Sequence, residues 1–212
     1  MKSSSNSDPE NQRPGDDGQD AATRNRRGSE RYRTVCRVAR VQRAHDSGLW
    51  RVRNISNHGL MLAADTPVRI GERLEISLSE TTTVRGKIVW AERGRCGVAF
   101  DKPIAAAAVL RALACEQRSE SYRALRLPVE VKAVMALRND ARPIDLVDIS
   151  QQGAGFRYDG VLAPGTEIEL LLPGGELRRQ ALVRWSRGPR GGLWFTRQLD
   201  RADLESISLL RG

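Results

Sequence analysis

The chain repeats itself once, and that repeat limits what it can fold into more than any other feature. Asn54-Ile55-Ser56-Asn57-His58-Gly59 is answered by Asp148-Ile149-Ser150-Gln151-Gln152-Gly153. Gly71 lies 12 residues after Gly59, and Gly165 lies 12 after Gly153. Trp90 precedes Phe100 by ten residues, as Trp185 precedes Phe195. Ser29-Glu30-Arg31-Tyr32-Arg33 answers Ser119-Glu120-Ser121-Tyr122-Arg123. A period of about 95 residues exceeds the 20–50 of solenoid units and matches a small domain. The 212 residues therefore hold a duplicated domain.

Short apolar or alternating runs fill the first copy: Thr34 to Val41, Leu49 to Ile55, Leu60 to Ala64, Leu74 to Leu78, Val84 to Trp90 and Gly97 to Phe100. Gly, Asp, Asn and Ser clusters separate them. Leu74-Glu75-Ile76-Ser77-Leu78 alternates as a strand with one wet face should. Six short strands at this spacing predict a small barrel or sandwich. Pro103 ends the pattern. Ile104 to Arg118 is alanine-rich without internal Gly or Pro, which predicts a helix. A second strand series begins near Leu127, and Leu199 to Leu210 could form a second short helix. Residues 1–24 are Ser, Asn, Asp, Gly, Gln and Pro with almost nothing apolar. Such a segment buries too little surface to offset its ordering entropy, so a disordered tail is expected. The domains are then 25–118 and 119–212.

The net charge is +9. The tail contributes −2, so the remainder is +11 and rich in arginine. A basic body attracts phosphate ligands, nucleic acid or acidic surfaces, and charge alone does not choose among them. Aromatic residues are only 5% of the chain. Single-strand binding relies on aromatic platforms, so nucleic acid is the less favoured partner. No apolar run approaches the roughly 18 residues of a membrane span, and the N-terminus lacks an apolar leader. A cytoplasmic protein without membrane insertion is expected. Cys36, Cys96 and Cys115 are widely spaced and form no Cys-x-x-Cys pair, which argues against a disulfide framework or a zinc knuckle. His45 and His58 flank turns and are too few for a metal site. No nucleophile elbow or Walker-type loop occurs. A non-enzymatic chain without metal or cofactor is expected. Trp90 and Trp185 suit barrel packing. Trp50 and Trp194 have no counterparts, which leaves a surface role open for them.

Three elements stand in order in the first copy. Arg26-Arg27 comes first, with Arg31 four residues after Arg27. Asn54-x-Ser56-x-x-Gly59 follows, and then a series ending in Trp90 and Gly97-Val98-Ala99-Phe100. This arrangement resembles the PilZ family, which is marked by Arg-x-x-x-Arg ahead of a six-stranded antiparallel barrel and by Asp/Asn-x-Ser-x-x-Gly on it. The resemblance implies an all-β chain of two six-stranded antiparallel β-barrels in tandem, each followed by a helix. It also implies a bacterial regulatory receptor that binds cyclic di-GMP through Arg26, Arg27, Arg31, Asn54, Ser56 and Gly59 and acts on a protein partner, with a homodimer open. The residue types suit that ligand. A guanidinium fork matches phosphate oxygens and the O6 and N7 of guanine alike, and it stacks on a flat base. Asn54 and Ser56, two apart on a strand, share a face and offer polar groups to a base edge. Gly59 permits a turn and leaves room for a ligand. A ligand-free adaptor is the alternative.

The second copy departs from this pattern. Aligned on Ser-Glu-x-Tyr-Arg, Gln117 replaces Arg27 and Ser121 replaces Arg31. Asp148, Ser150 and Gly153 remain, and their turn geometry alone accounts for them. The expectation is a degenerate barrel that serves packing, dimerisation or partner contact.

Overall fold

The computed structural model describes residues 31–63, 66–120, 122–138, 140–173, 178–200 and 203. The expected tail, Arg26, Arg27 and most of the expected second helix lie outside the described residues.

The first copy forms β1 (Tyr32–Gln42), β2 (Ser47–Ser56), β3 (Gly59–Ala63), β4 (Arg73–Ser77), β5 (Thr83–Glu92) and β6 (Arg95–Phe100), followed by helix α1 (Ala106–Arg118). The second forms β7 (Arg126–Leu137), β8 (Asp140–Ser150), β9 (Gly153–Arg157), β10 (Glu167–Leu171), β11 (Arg178–Arg187) and β12 (Arg190–Phe195). Each set closes into an antiparallel barrel. The strand order is β1-β2-β3-β6-β5-β4 in the first and β7-β8-β9-β12-β11-β10 in the second. Closure leaves no unpaired edge in either sheet.

Alternation decides which side chains face in. Along β7, Leu127, Val129, Val131, Ala133 and Met135 are buried at every second position. Each barrel is narrow enough for such side chains to fill it. Leu62, Ile76, Ile88 and Cys96 are fully buried in the first, and Leu146, Phe156, Leu170 and Phe195 in the second. Burial pushes the Cys96 thiol up to about 11, so this cysteine is an inert core residue. Trp50 is buried in the first core as well, which closes the surface role left open for it. The Arg43 guanidinium lies 5.8 Å from the centre of its ring.

Helix α1 lacks a cap from its own flanking residue, Ala105. The turn between β2 and β3 supplies one instead. Asn57 Oδ1 accepts from Ala106 N at 3.0 Å, and its carbonyl accepts from Ile104 N at 2.8 Å. Ala106 and Leu113 then bury one face of the helix in the first core. Arg37 donates to the Leu113 carbonyl at 3.1 Å, near the helix C-terminus.

The two barrels touch through the outer face of β1 and β2. Ala39 and Val41 point inward, so Val38, Arg40 and the opposing Leu49 point outward. Leu49 is buried in the hydrophobic cluster of the second barrel, and Val38 packs against it. Arg40 donates to the carbonyl of Arg126 at 3.1 Å.

Candidate functional site

Of the expected contacts, Arg31 and Asn54 lie on the outer side of the β1–β2 pair. Tyr32 pairs with Ile55, which is buried in the core. The period-two pleat then turns Asn54 and Arg31, each one residue away, toward the outer surface. Arg31 is exposed and Asn54 half-buried. Among the described residues, neither side chain has a hydrogen-bond or ion-pair partner.

Ser56 and Gly59 are differently placed. The Ser56 hydroxyl donates to the Gly59 carbonyl at 3.2 Å and so closes the β2–β3 turn. A Cβ on Gly59 would collide with the Val98 carbonyl oxygen on β6. The glycine is required because two backbones approach closely. Its φ is not positive, so left-handed freedom is not the reason.

The same devices recur in the second barrel. The Ser150 hydroxyl donates to the Gly153 carbonyl at 3.1 Å, and a Cβ on Gly153 would collide with the Leu193 carbonyl. Phe100 N donates to His58 O as Phe195 N donates to Gln152 O, each at 2.8 Å. Ile104 N bonds Asn57 O at 2.8 Å, and Leu199 N bonds Gln151 O at 2.9 Å. The turn motif is therefore a brace between β3, β6 and the segment after the barrel, in both copies.

Strand register corrects one alignment made on sequence. Leu127 pairs with Ile149 as Tyr32 pairs with Ile55. The residue one earlier, Arg126, thus holds the position of Arg31, and Tyr122 the position of Arg27. Gln117 belongs to α1 and is not a counterpart of Arg27. The second barrel keeps an arginine at one of the two expected clamp positions, and it is engaged: Arg126 pairs with Asp148, the counterpart of Asn54. Asp148 also accepts from Gly155 N at 2.9 Å. The spacing carried a signal that Ser-Glu-x-Tyr-Arg obscured. Arg126 precedes Asp148 by 22 residues, and Arg31 precedes Asn54 by 23.

On the far side of the same outer faces, Trp90 crosses Gly97 and Trp185 crosses Gly192. A Cβ on either glycine would meet the indole. Both rings pack on the outside of their barrels and stay about two-fifths exposed, at 39% and 42%. His45 and His58 are exposed, and no group of three His, Cys, Asp or Glu suited to a metal occurs among the described residues. No helix among them is long and apolar enough to cross a membrane.

A family model described as PilZ domain matches residues 25–114 and again 117–211. The chain belongs to the PilZ domain family and carries the domain twice. No curated protein matches it. Among solved structures it is similar to Borreliella burgdorferi PlzA in complex with c-di-GMP, at 11% identity and a TM-score of 0.39, covering 83% of this chain and 88% of that one. It is also similar to the Bacillus subtilis inhibitor of motility MotI/DgrA, at 11% identity and 0.34, covering 83% and 95%. Escherichia coli YcgR in complex with c-di-GMP follows at 14% identity and 0.31, covering 81% and 80%. These whole-chain likenesses are loose.

Proposed function

We propose that the chain is a regulatory receptor for cyclic di-GMP, a non-enzymatic one that binds the nucleotide on its first barrel and acts through a protein partner. Arg26, Arg27 and Arg31 clamp phosphate and guanine, Asn54 offers its amide to a base edge, and Ser56 and Gly59 hold the turn on which Asn54 depends. The domains under this reading are 25–118, which binds, and 119–212, which does not.

The observation that carries the reading is the contrast between two matched edges in one chain. In the second barrel, Arg126 and Asp148 satisfy each other. In the first, Asn54 stands in place of the carboxylate, and Arg31 at the same position has no ion-pair partner among the described residues. A guanidinium and a neutral amide on one outer face suit an anionic base-bearing ligand. A cation locked to a carboxylate must first give up that partner. Each charge-assisted bond to the ligand contributes about 1.5–3 kcal/mol, so two or three arginines separate micromolar binding from none.

Titration calorimetry on the full chain tests this. Cyclic di-GMP should give a saturable heat, with GTP, GMP and cyclic di-AMP binding at least about tenfold more weakly, a gap of about 1.4 kcal/mol. Absence of any saturable signal with cyclic di-GMP would remove the reading and leave a ligand-free adaptor.

A further inference from the structure

The second barrel carries a surface that its degenerate ligand edge does not explain. Arg187 on β11 lies opposite Arg190 on β12, which lies opposite Arg157 on β9. Phe156 and Leu193 fill the core, so the intervening residues, Arg157 and Arg190 among them, point outward. All three arginines are exposed. Strands lie about 4.8 Å apart, so the row spans roughly 10 Å. Like charges directly opposite each other destabilise a sheet, and none of the three has an ion-pair partner among the described residues. The nearest acid across the sheet, Asp145, is bound to Lys132 at 3.1 Å.

Next to this row lies an aromatic floor. Arg190, Gly192 and Trp194 alternate along the outer side of β12. Trp185 packs on Gly192 and stays 42% exposed, and Trp194 is 46% exposed. Gly153 and Gly155 lie opposite Trp194 and Gly192 on β9, and the Asp148 carboxylate, which is paired with Arg126, covers Gly155. The first barrel is an internal control. There the equivalent row reads Glu92, Arg95 and Ala63, and Ala99 stands where Trp194 does. The overall 5% aromatic content hid the fact that two of the four tryptophans meet on one face.

We propose that the outer face of β9, β11 and β12 binds single-stranded nucleic acid, with Arg157, Arg187 and Arg190 on backbone phosphates and Trp185 and Trp194 stacking on bases. A fixed cation row suits any polyanion. The exposed indoles select among them, because unpaired bases offer planar faces. A duplex keeps its bases stacked inside, and an acidic peptide has none to offer. The proposal is independent of cyclic di-GMP binding on the first barrel.

Fluorescence anisotropy with the full chain and a labelled single-stranded DNA of about 15 nucleotides, in about 50 mM salt, tests it. Saturable binding is expected. Arg187→Gln with Arg190→Gln should weaken it at least about tenfold and reduce the salt slope by about 1–2. Trp194→Ala should weaken it roughly tenfold with the salt slope unchanged. Lys87→Gln with Arg95→Gln, which removes the same charge from the first barrel, should leave affinity within about twofold, as changes distant from a site do. Circular dichroism of each variant confirms that it is folded, and Trp194→Ala keeps the test open if the arginine pair is not. No binding, equal loss in the first-barrel control, equal affinity for a duplex, or displacement by polyglutamate as effective as by unlabelled strand would each overturn the proposal.

Discussion

A Cβ on Gly59 would meet the Val98 carbonyl oxygen, and one on Gly153 would meet that of Leu193. Gly59→Ala should therefore cost stability before it costs binding, by about 1–3 kcal/mol as in other overpacked sites. Ser56→Ala should cost about 1 kcal/mol, the net value of the bond to the Gly59 carbonyl. Asn54→Ala should behave in the opposite way. Its side chain has no partner to lose among the described residues, so the melting temperature should stay put. Affinity for cyclic di-GMP should fall about threefold to tenfold, the equivalent of a neutral hydrogen bond. Chemical denaturation of the three variants beside calorimetry separates the two behaviours. A melting loss for Asn54→Ala as large as that for Gly59→Ala would count against this division.

At the scale of elements, Arg43 ties the turn between β1 and β2 to the segment before β4. Its guanidinium bonds Glu72 at 2.7 Å and the Pro67 carbonyl at 2.9 Å, pairs with Asp46 at 3.2 Å, and covers Trp50. Burial pushes the Glu72 carboxyl up, but its bonds to Arg43 and to the Arg69 backbone outweigh this and hold it below the usual carboxylate range. A depressed folded-state pKa contributes stability that is present above the unfolded value, about 4.3, and lost as pH falls through the folded value. Glu72→Gln should thus be less stable than wild type by about 2 kcal/mol at pH 7. The gap should close as the medium is acidified below about pH 4. Thermal melts across that range check it, and a gap independent of pH would contradict it.

The strands themselves were legible, because alternation such as Leu74-Glu75-Ile76 expresses the pleat directly. The doubled motif was legible for the same reason that it persists: Ser56 and Gly59 satisfy a backbone constraint that both barrels share. Three things were not. The Arg126–Asp148 pair needed strand register, since a bulge between Pro128 and Val131 and a shorter spacing shift the second copy. Trp50 looked like a candidate for the surface because burial depends on which way its strand faces. The arginine row depended on three strands being brought side by side, and β9 and β12 are more than 30 residues apart in sequence.

At the scale of the molecule, the barrels are joined by more than the chain. Leu49 grows from β2 of the first barrel yet is buried in the cluster of the second. Arg40 bonds the backbone of Arg126, the counterpart of Arg31. Leu49→Ala should cost about 2–5 kcal/mol, the range for a buried leucine. It should also split one cooperative unfolding transition into two, visible by calorimetric scanning. A single transition with unchanged midpoint would show that the barrels are coupled elsewhere. Under the proposed function, one edge of the first barrel holds the nucleotide and the matching edge of the second does not. Calorimetry of the full chain with cyclic di-GMP in two variants separates the two edges. Arg27→Ala with Arg31→Ala should abolish saturable binding, while Arg126→Ala should bind as wild type does. Residual saturable binding in the first variant, or loss of binding in the second, would place a nucleotide site on the second barrel and contradict the account.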